Sequence, residues 1–217
     1  MSDPDTQCNA MLAEWLAGLF SAPLSESAVA FYRHGPGRML LDSLAEEPTA
    51  GWGIARMRAA VTVEASATMA ARILSASYTR LFSGIGRGNS ISLYESAHVS
   101  ASGRLFQQPV SDMSRLLGVA NQSIAPAARE PPDHLSIELT LLAEFTRGNI
   151  APASLSMLLD DHLFVWIPRF AKACCDADPD GFYAGAATVL AWFIDSQRCK
   201  LTDNTSFYAQ STGAARC

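Results

Sequence analysis

Three groups of residues have types and spacings that could do chemistry. In Glu130-Pro131-Pro132-Asp133-His134 a carboxylate and an imidazole stand together just ahead of an apolar run that begins at Leu135. An acid in the first turn of a helix opened by two prolines is kept ionised by the helix dipole, which makes Asp133 a ready partner for an arginine. His134 could donate a hydrogen bond to a peptide backbone or, once protonated near its ordinary pKa of ~6.5, weaken the site for a cation. The plainer alternative for this pair is a first-turn acid stabilising its own helix beside a half-buried histidine. The second group is Gly84-Ile85-Gly86-Arg87-Gly88, whose backbone N–H groups could face a phosphate. It follows a helical pattern instead of a strand and lacks the lysine of a P-loop. The third is Cys174-Cys175 with His162, but adjacent cysteines on a helix diverge by about 100° and cannot both face one ion. No metal site and no cofactor are expected. GxSxG, HExxH and GxxxxGK[ST] patterns are all missing, and nothing in the sequence places a serine nucleophile beside Asp133 and His134.

The elements that must position these residues read as helices throughout. Met11, Leu12, Trp15, Leu16, Leu19 and Phe20 form an apolar stripe that stops before Pro23. Ser25 opens a short second helix, Arg38 to Glu46 make a third, and Val61 to Phe82 read as one long central helix. On that helix Leu74, Tyr78, Leu81 and Phe82 share a face. From Gly84 to Gln108 helical period is lost, so a surface loop or a hinge is expected there. Pro109, Pro131-Pro132 and Pro152 each precede a further helix, with Gly148 as a stop, and Asp178-Pro179-Asp180 starts a last long one ending near Lys200. Residues 201–217 look like a polar, frayed tail. His162 and Trp166 lie four apart on one face, with Pro168 expected to interrupt the helix and tilt Phe170. No strand alternation or fixed-period repeat is present. The fold expected is therefore an all-α bundle of about nine or ten helices, in a single domain over residues 1–200.

Composition narrows the function. The chain has 217 residues, 49% of them hydrophobic and 17% charged, which is enough for a sizeable core and excludes disordered and low-complexity classes. A net charge of −5 with two lysines argues against nucleic acid. The negative charge is concentrated: between Glu130 and Asp180 nine acids face three basic residues. Such a segment would attract a cationic ligand, or simply aid solubility. Five cysteines without a CxxC pair point to idle thiols. The longest wholly apolar stretch, Gly181 to Ile194, is too short to span a bilayer, so no stable membrane insertion is expected. Met1-Ser2-Asp3-Pro4-Asp5 is acidic where a targeting peptide carries Lys or Arg, so a cytoplasmic protein is expected.

Three longer blocks stand in order: Tyr78-Thr79-Arg80-Leu81-Phe82-Ser83-Gly84, Glu130-Pro131-Pro132-Asp133-His134, and His162-Leu163-Phe164-Val165-Trp166-Ile167-Pro168-Arg169-Phe170, with Tyr94-Glu95-Ser96 as a weaker fourth. From about Ala65 to Ile194 the sequence resembles the TorD/DmsD/NarJ family of redox-enzyme maturation chaperones. The resemblance implies an all-α, non-enzymatic cytoplasmic chaperone. Its partner would be the catalytic subunit of a molybdopterin oxidoreductase and that subunit's twin-arginine leader, held until the cofactor is in.

A leader presenting two guanidinium groups beside an apolar stretch needs carboxylates next to an exposed apolar groove. Tyr78, Leu81, Phe82, Asp133 and His134 are the expected binding residues, with Tyr78 the foremost groove candidate and Leu81 and Phe82 at least partly core. Tyr94, Glu130, Pro131, His162 and Trp166 are expected to support them. Two other readings stay open. One is a nucleotide-handling protein of the weak-GTPase kind, with Gly84 to Gly88 as a phosphate loop and Asp133 or Glu138 toward magnesium. The other is a helical scaffold without an exported client. Monomer and domain-swapped dimer are both compatible with a hinge at 84–108.

Overall fold

The computed structural model describes residues 4–83, 90–100, 108–120, 130–148 and 151–213. Among these residues the elements are α1 (Pro4–Ser21), α2 (Glu26–Arg33), α3 (Pro36–Leu44), α4 (Pro48–Thr62), α5 (Ala67–Phe82), α6 (Glu95–Val99), α7 (Gln108–Val119), α8 (Leu135–Arg147), α9 (Pro152–Met157), α10 (Phe164–Ala177) and α11 (Phe182–Gly213). A π-helical turn, Leu158–Leu163, joins α9 to α10. The all-α class holds. One isolated bridge, between Tyr94 and His134, is the nearest approach to a sheet among the described residues.

Local chemistry sets most boundaries. Ser25 caps α2 by accepting the Ala28 N–H at 3.2 Å, and Pro36, Pro48 and Pro152 occupy first-turn positions where a missing N–H costs nothing. Three expectations need correction. The run from Val61 to Phe82 is two helices, because Ser66 accepts the Met69 N–H at 3.2 Å and so starts α5 afresh, leaving Val63 exposed between them. Pro168 does not interrupt its helix: α10 passes through it, and Trp166 and Phe170 meet edge to face at 5.5 Å. The last helix runs on to Gly213, well past Lys200.

The core lies where α1 meets α8 and where α11 meets α4 and α10. In α1 the inward face is Ala10, Ala13, Leu16, Ala17, Leu19 and Phe20, while Met11 points to solvent. Leu16, Leu19 and Phe20 of the expected stripe lie in it, and alanines complete the face, their small side chains letting the backbones approach. The same device is sharper at the α4–α11 crossing. A Cβ on Gly53 would stand 2.6 Å from the Gly185 carbonyl oxygen, and one on Gly185 would collide with the Gly53 carbonyl in turn. Glycine is required at both positions by backbone contact.

The segment expected to be a surface loop is anchored where it is described. Ile91 N–H donates to Leu81 O at 2.7 Å, Leu135 N–H to Leu93 O at 2.8 Å and Glu95 N–H to Asp133 O at 3.0 Å. Ile91, Leu93, Glu95 and Ser96 are buried. The glycine run 84–88, and with it the phosphate-loop expectation and part of the expected hinge, lies outside the described residues.

Candidate functional site

The aromatic block on α5 is interior. Tyr78 is 8% exposed and its hydroxyl donates to the Phe20 carbonyl at 2.9 Å, while burial and then the charge of Glu130 push its pKa up to about 12. Its ring packs edge to face on Phe82 at 5.1 Å and on Tyr183 at 5.3 Å. Leu81 is fully buried, and Phe82 is packed between Phe20 and Phe170. Instead of walling a groove, the three lock α5 to α1, α10 and α11. The hydroxyl that suggested a wet end for Tyr78 is spent on a backbone carbonyl.

Asp133 is also interior, at 1% exposure. It precedes α8 and is not in its first turn: His134 is the N-cap, its Nδ1 accepting the Ser136 N–H at 3.2 Å. Asp133 Oδ2 accepts the Ser96 N–H at 3.1 Å and its carbonyl accepts the Glu95 N–H at 3.0 Å. The residue therefore fastens the start of α6 to the entrance of α8. Its other oxygen, Oδ1, has no hydrogen-bond partner among the described residues. Burial pushes the pKa of His134 down, against the opposing charges of Glu130 and Asp133, so the imidazole is neutral and able to accept the capping bond. Tyr94 donates its hydroxyl to Glu130, and its ring lies edge to face on His134 at 5.1 Å. The His134 N–H donates to the Pro131 carbonyl at 3.1 Å, closing the turn. Glu130, Pro131 and Tyr94 thus order this entrance.

Behind it lies a buried polar chain. His162, placed inward by the π turn, donates from Nδ1 to Glu95 Oε2 at 2.8 Å, and Trp166 Nε1 donates to Glu138 Oε2 at 3.1 Å. The His98 ring stacks on Trp166 at 5.0 Å. Glu138 is wholly buried, and burial, followed by the charge of nearby Glu95, pushes its pKa well above the usual carboxylate range. The shift favours its neutral form, and a buried carboxyl that holds its proton is a poor ligand for a magnesium ion. For His162 burial opposes the charge, yet the Glu95 hydrogen bond and the charges of Glu95, Asp112 and Asp161 outweigh it, and its pKa is raised. No cluster of three or more metal-ligating side chains forms among the described residues.

This chain opens on a cleft of about 430 Å³ between α6, α7 and the π turn. Glu95 and His162 line its inner end, and Asp112 and Asp161 add two more carboxylates. Asp112 is engaged by Arg115, which also lines the cleft, whereas Asp161 is exposed and in no ion pair among the described residues. Val99, Met157 and Val165 rim the cleft at 36%, 38% and 43% exposure. Acids beside exposed apolar side chains are what a cationic, partly apolar segment requires. A larger open cavity of about 820 Å³ lies over α5 and is lined by Thr68, Ser75, Arg72 and Arg80 among others. Two basic groups there against the single acid Glu26 suit a cation less well.

Of the expected supporting residues, His162 reaches the cleft and Trp166 joins the buried chain, while none of the expected binding residues lines the cleft. Sequence reasoning missed Glu95, Asp112, Asp161 and the three rim residues. One signal was present for the buried chain: Glu138 falls on the apolar stripe of α8, three residues after Leu135 and four before Leu142, where a carboxylate needs a special reason.

Residues 46–172 match the family described as nitrate reductase delta subunit. Over 199 residues the chain is 34% identical to the chaperone protein TorD of Aeromonas salmonicida, covering 83% of this chain and 85% of that one. It is 31% identical to the TorD chaperone of Ferrimonas balearica over 193 residues, covering 85% and 86% of the two chains. With that of Vibrio cholerae it shares 28% over 194 residues, covering 85% and 87%. Among the described residues no helix is long and apolar enough to cross a membrane. Fold, matched region and relatives point the same way, and the chain belongs to the nitrate reductase delta subunit family, that of the TorD and NarJ chaperones.

Proposed function

We propose that this protein is a non-enzymatic maturation chaperone for a molybdopterin oxidoreductase, and that it receives the twin-arginine leader of the catalytic subunit in the cleft between α6, α7 and the π turn. The observation that carries the site is the meeting of Glu95, Asp112 and Asp161 with exposed Val99, Met157 and Val165 in one open cleft. Family membership and the TorD relatives support the chaperone role, and the leader's chemistry supports the location. The guanidinium groups would approach the carboxylates, and the apolar stretch would cover the rim. Exposed ion pairs contribute ~0.2 to 1 kcal/mol each, so apolar burial at the rim should supply much of the affinity.

Calorimetric titration with a synthetic leader peptide tests this. Val165→Lys, which removes apolar surface and adds a charge that repels arginine, should weaken binding about tenfold or more, equal to ~1.4 kcal/mol, and Asp161→Asn about two- to fivefold, with affinity falling as salt rises. Affinities unchanged in both variants would remove the cleft from the site.

A further inference from the structure

The inner end of the cleft holds a competition. Glu95 is the carboxylate nearest the buried interior among those lining the cleft, and its Oε2 already receives a hydrogen bond from His162 Nδ1 at 2.8 Å. A guanidinium entering the cleft seeks the same negative charge that His162 uses when protonated, and an imidazolium at the cleft wall repels it. We propose that a docked cation and the proton on His162 make rival claims on Glu95, so that leader binding expels a proton and acidification releases the leader. This rests on the cleft being the leader site.

The surroundings of His162 set the sign. Glu95 on α6, Asp112 on α7 and Asp161 on the π turn face it and favour the imidazolium in the unoccupied protein, even though burial works the other way. Arg115 of α7 is occupied by Asp112, and Arg198 of α11 is bound to Asp160 at 2.8 Å. For Glu138 of α8, burial and the charge of Glu95 raise the pKa well above the carboxylate range and favour the neutral form. Arg169 of α10 acts on His98, and α9 has no ionisable side chain. A cation in the cleft offsets the three acids, so His162 loses its proton more readily when the cleft is filled. By reciprocity, each proton-bound His162 weakens the leader. Affinity therefore rises with pH up to the titration of His162 in the free protein and is level above it. For the two remaining histidines of this region, His98 and His134, burial pushes the pKa down, opposite to the shift of His162.

The experiment is calorimetry of the whole protein with an acetylated, amidated peptide of two adjacent arginines followed by apolar residues, free of titratable groups other than arginine. Titrations run from pH 5.5 to 8.5 in buffers of different ionisation enthalpy, which count the protons exchanged. The expected result is release of up to one proton, with affinity rising by up to about tenfold per pH unit below the His162 titration. His162→Gln, which keeps a donor for Glu95 without a charge, should abolish both effects and bind more tightly than wild type at pH 5.5. Should that variant fail to fold, the proton count in the wild type decides. Binding that is level with pH and exchanges no proton overturns the linkage and leaves the cleft intact. Proton release that persists in His162→Gln overturns the assignment to His162. Binding that ignores Val165→Lys overturns the cleft itself.

Discussion

His162 and Glu95, 67 residues apart in sequence, face each other at 2.8 Å with almost no access to solvent, and they do so at the inner wall of an acidic, apolar-rimmed cleft. The π turn and α6, two short elements, are what bring them together. A buried carboxylate and imidazole without each other would each carry the full cost of lost hydration, so removing either partner is expected to destabilise the fold by ~3 to 5 kcal/mol.

Glu138 should make the protein most stable in mild acid. Its folded pKa lies above the unfolded value, so the folded state binds a proton that the unfolded chain releases once pH exceeds ~4.5, and each pH unit above that costs about 1.4 kcal/mol until the folded group ionises. His162 acts in the same direction: its raised folded pKa gives stability that is complete below ~6.5 and fades as pH rises through the folded value. Glu138→Gln, which keeps an oxygen for Trp166, should raise the melting temperature at pH 8 and lose that advantage toward pH 5. An advantage that does not depend on pH would contradict the buried-acid account.

Tyr78→Phe separates core from groove. Loss of the bond to the Phe20 carbonyl should cost ~1 to 2 kcal/mol in denaturant unfolding, since a buried acceptor is left unpaired, with leader affinity unaltered. A large loss of affinity with stability preserved would return Tyr78 to the binding surface.

His134 acts through its neutral form as the cap of α8. Because its folded pKa is lowered, the stability it gives is present above ~6.5 and lost as pH falls through the folded value. His134→Ala should cost about 1 kcal/mol at pH 7.5, and His134→Asn, another capping residue, should recover most of it. Equal stability of wild type and alanine variant would exclude the cap.

The crossing of α4 and α11 is expected to reject any side chain. Gly185→Ala should destabilise by ~1 to 3 kcal/mol or more, because the new Cβ meets backbone that cannot move aside. Thermal unfolding measures it, and a neutral result would mean that the helices are farther apart than described.

Helices announced themselves through caps, prolines and apolar spacing, as at Ser25, Pro109 and Gly148. Where sequence reasoning erred, two signals competed over one stretch. Between Val61 and Phe82 good helix formers masked the Ser66 cap, and Met11 looked more core-like than the alanines that pack. Spacing places Asp133 at a helix entrance open to an arginine because periodicity shows which face a residue shares, not how much chain will cover it. Its cover comes from residues 91–96, whose lack of helical period resembled a loop. The cleft was the least legible part, since Val99, Asp112 and Val165 belong to three elements and only the fold makes them neighbours.

The central claim concerns where the leader lies. A photo-crosslinking residue placed at Val165 and, separately, at Ser75 over α5 reports this directly in the intact protein. Capture of the twin-arginine peptide from position 165 and not from 75 is the result expected. Capture from 75 alone, or from neither position under saturating peptide, would contradict it.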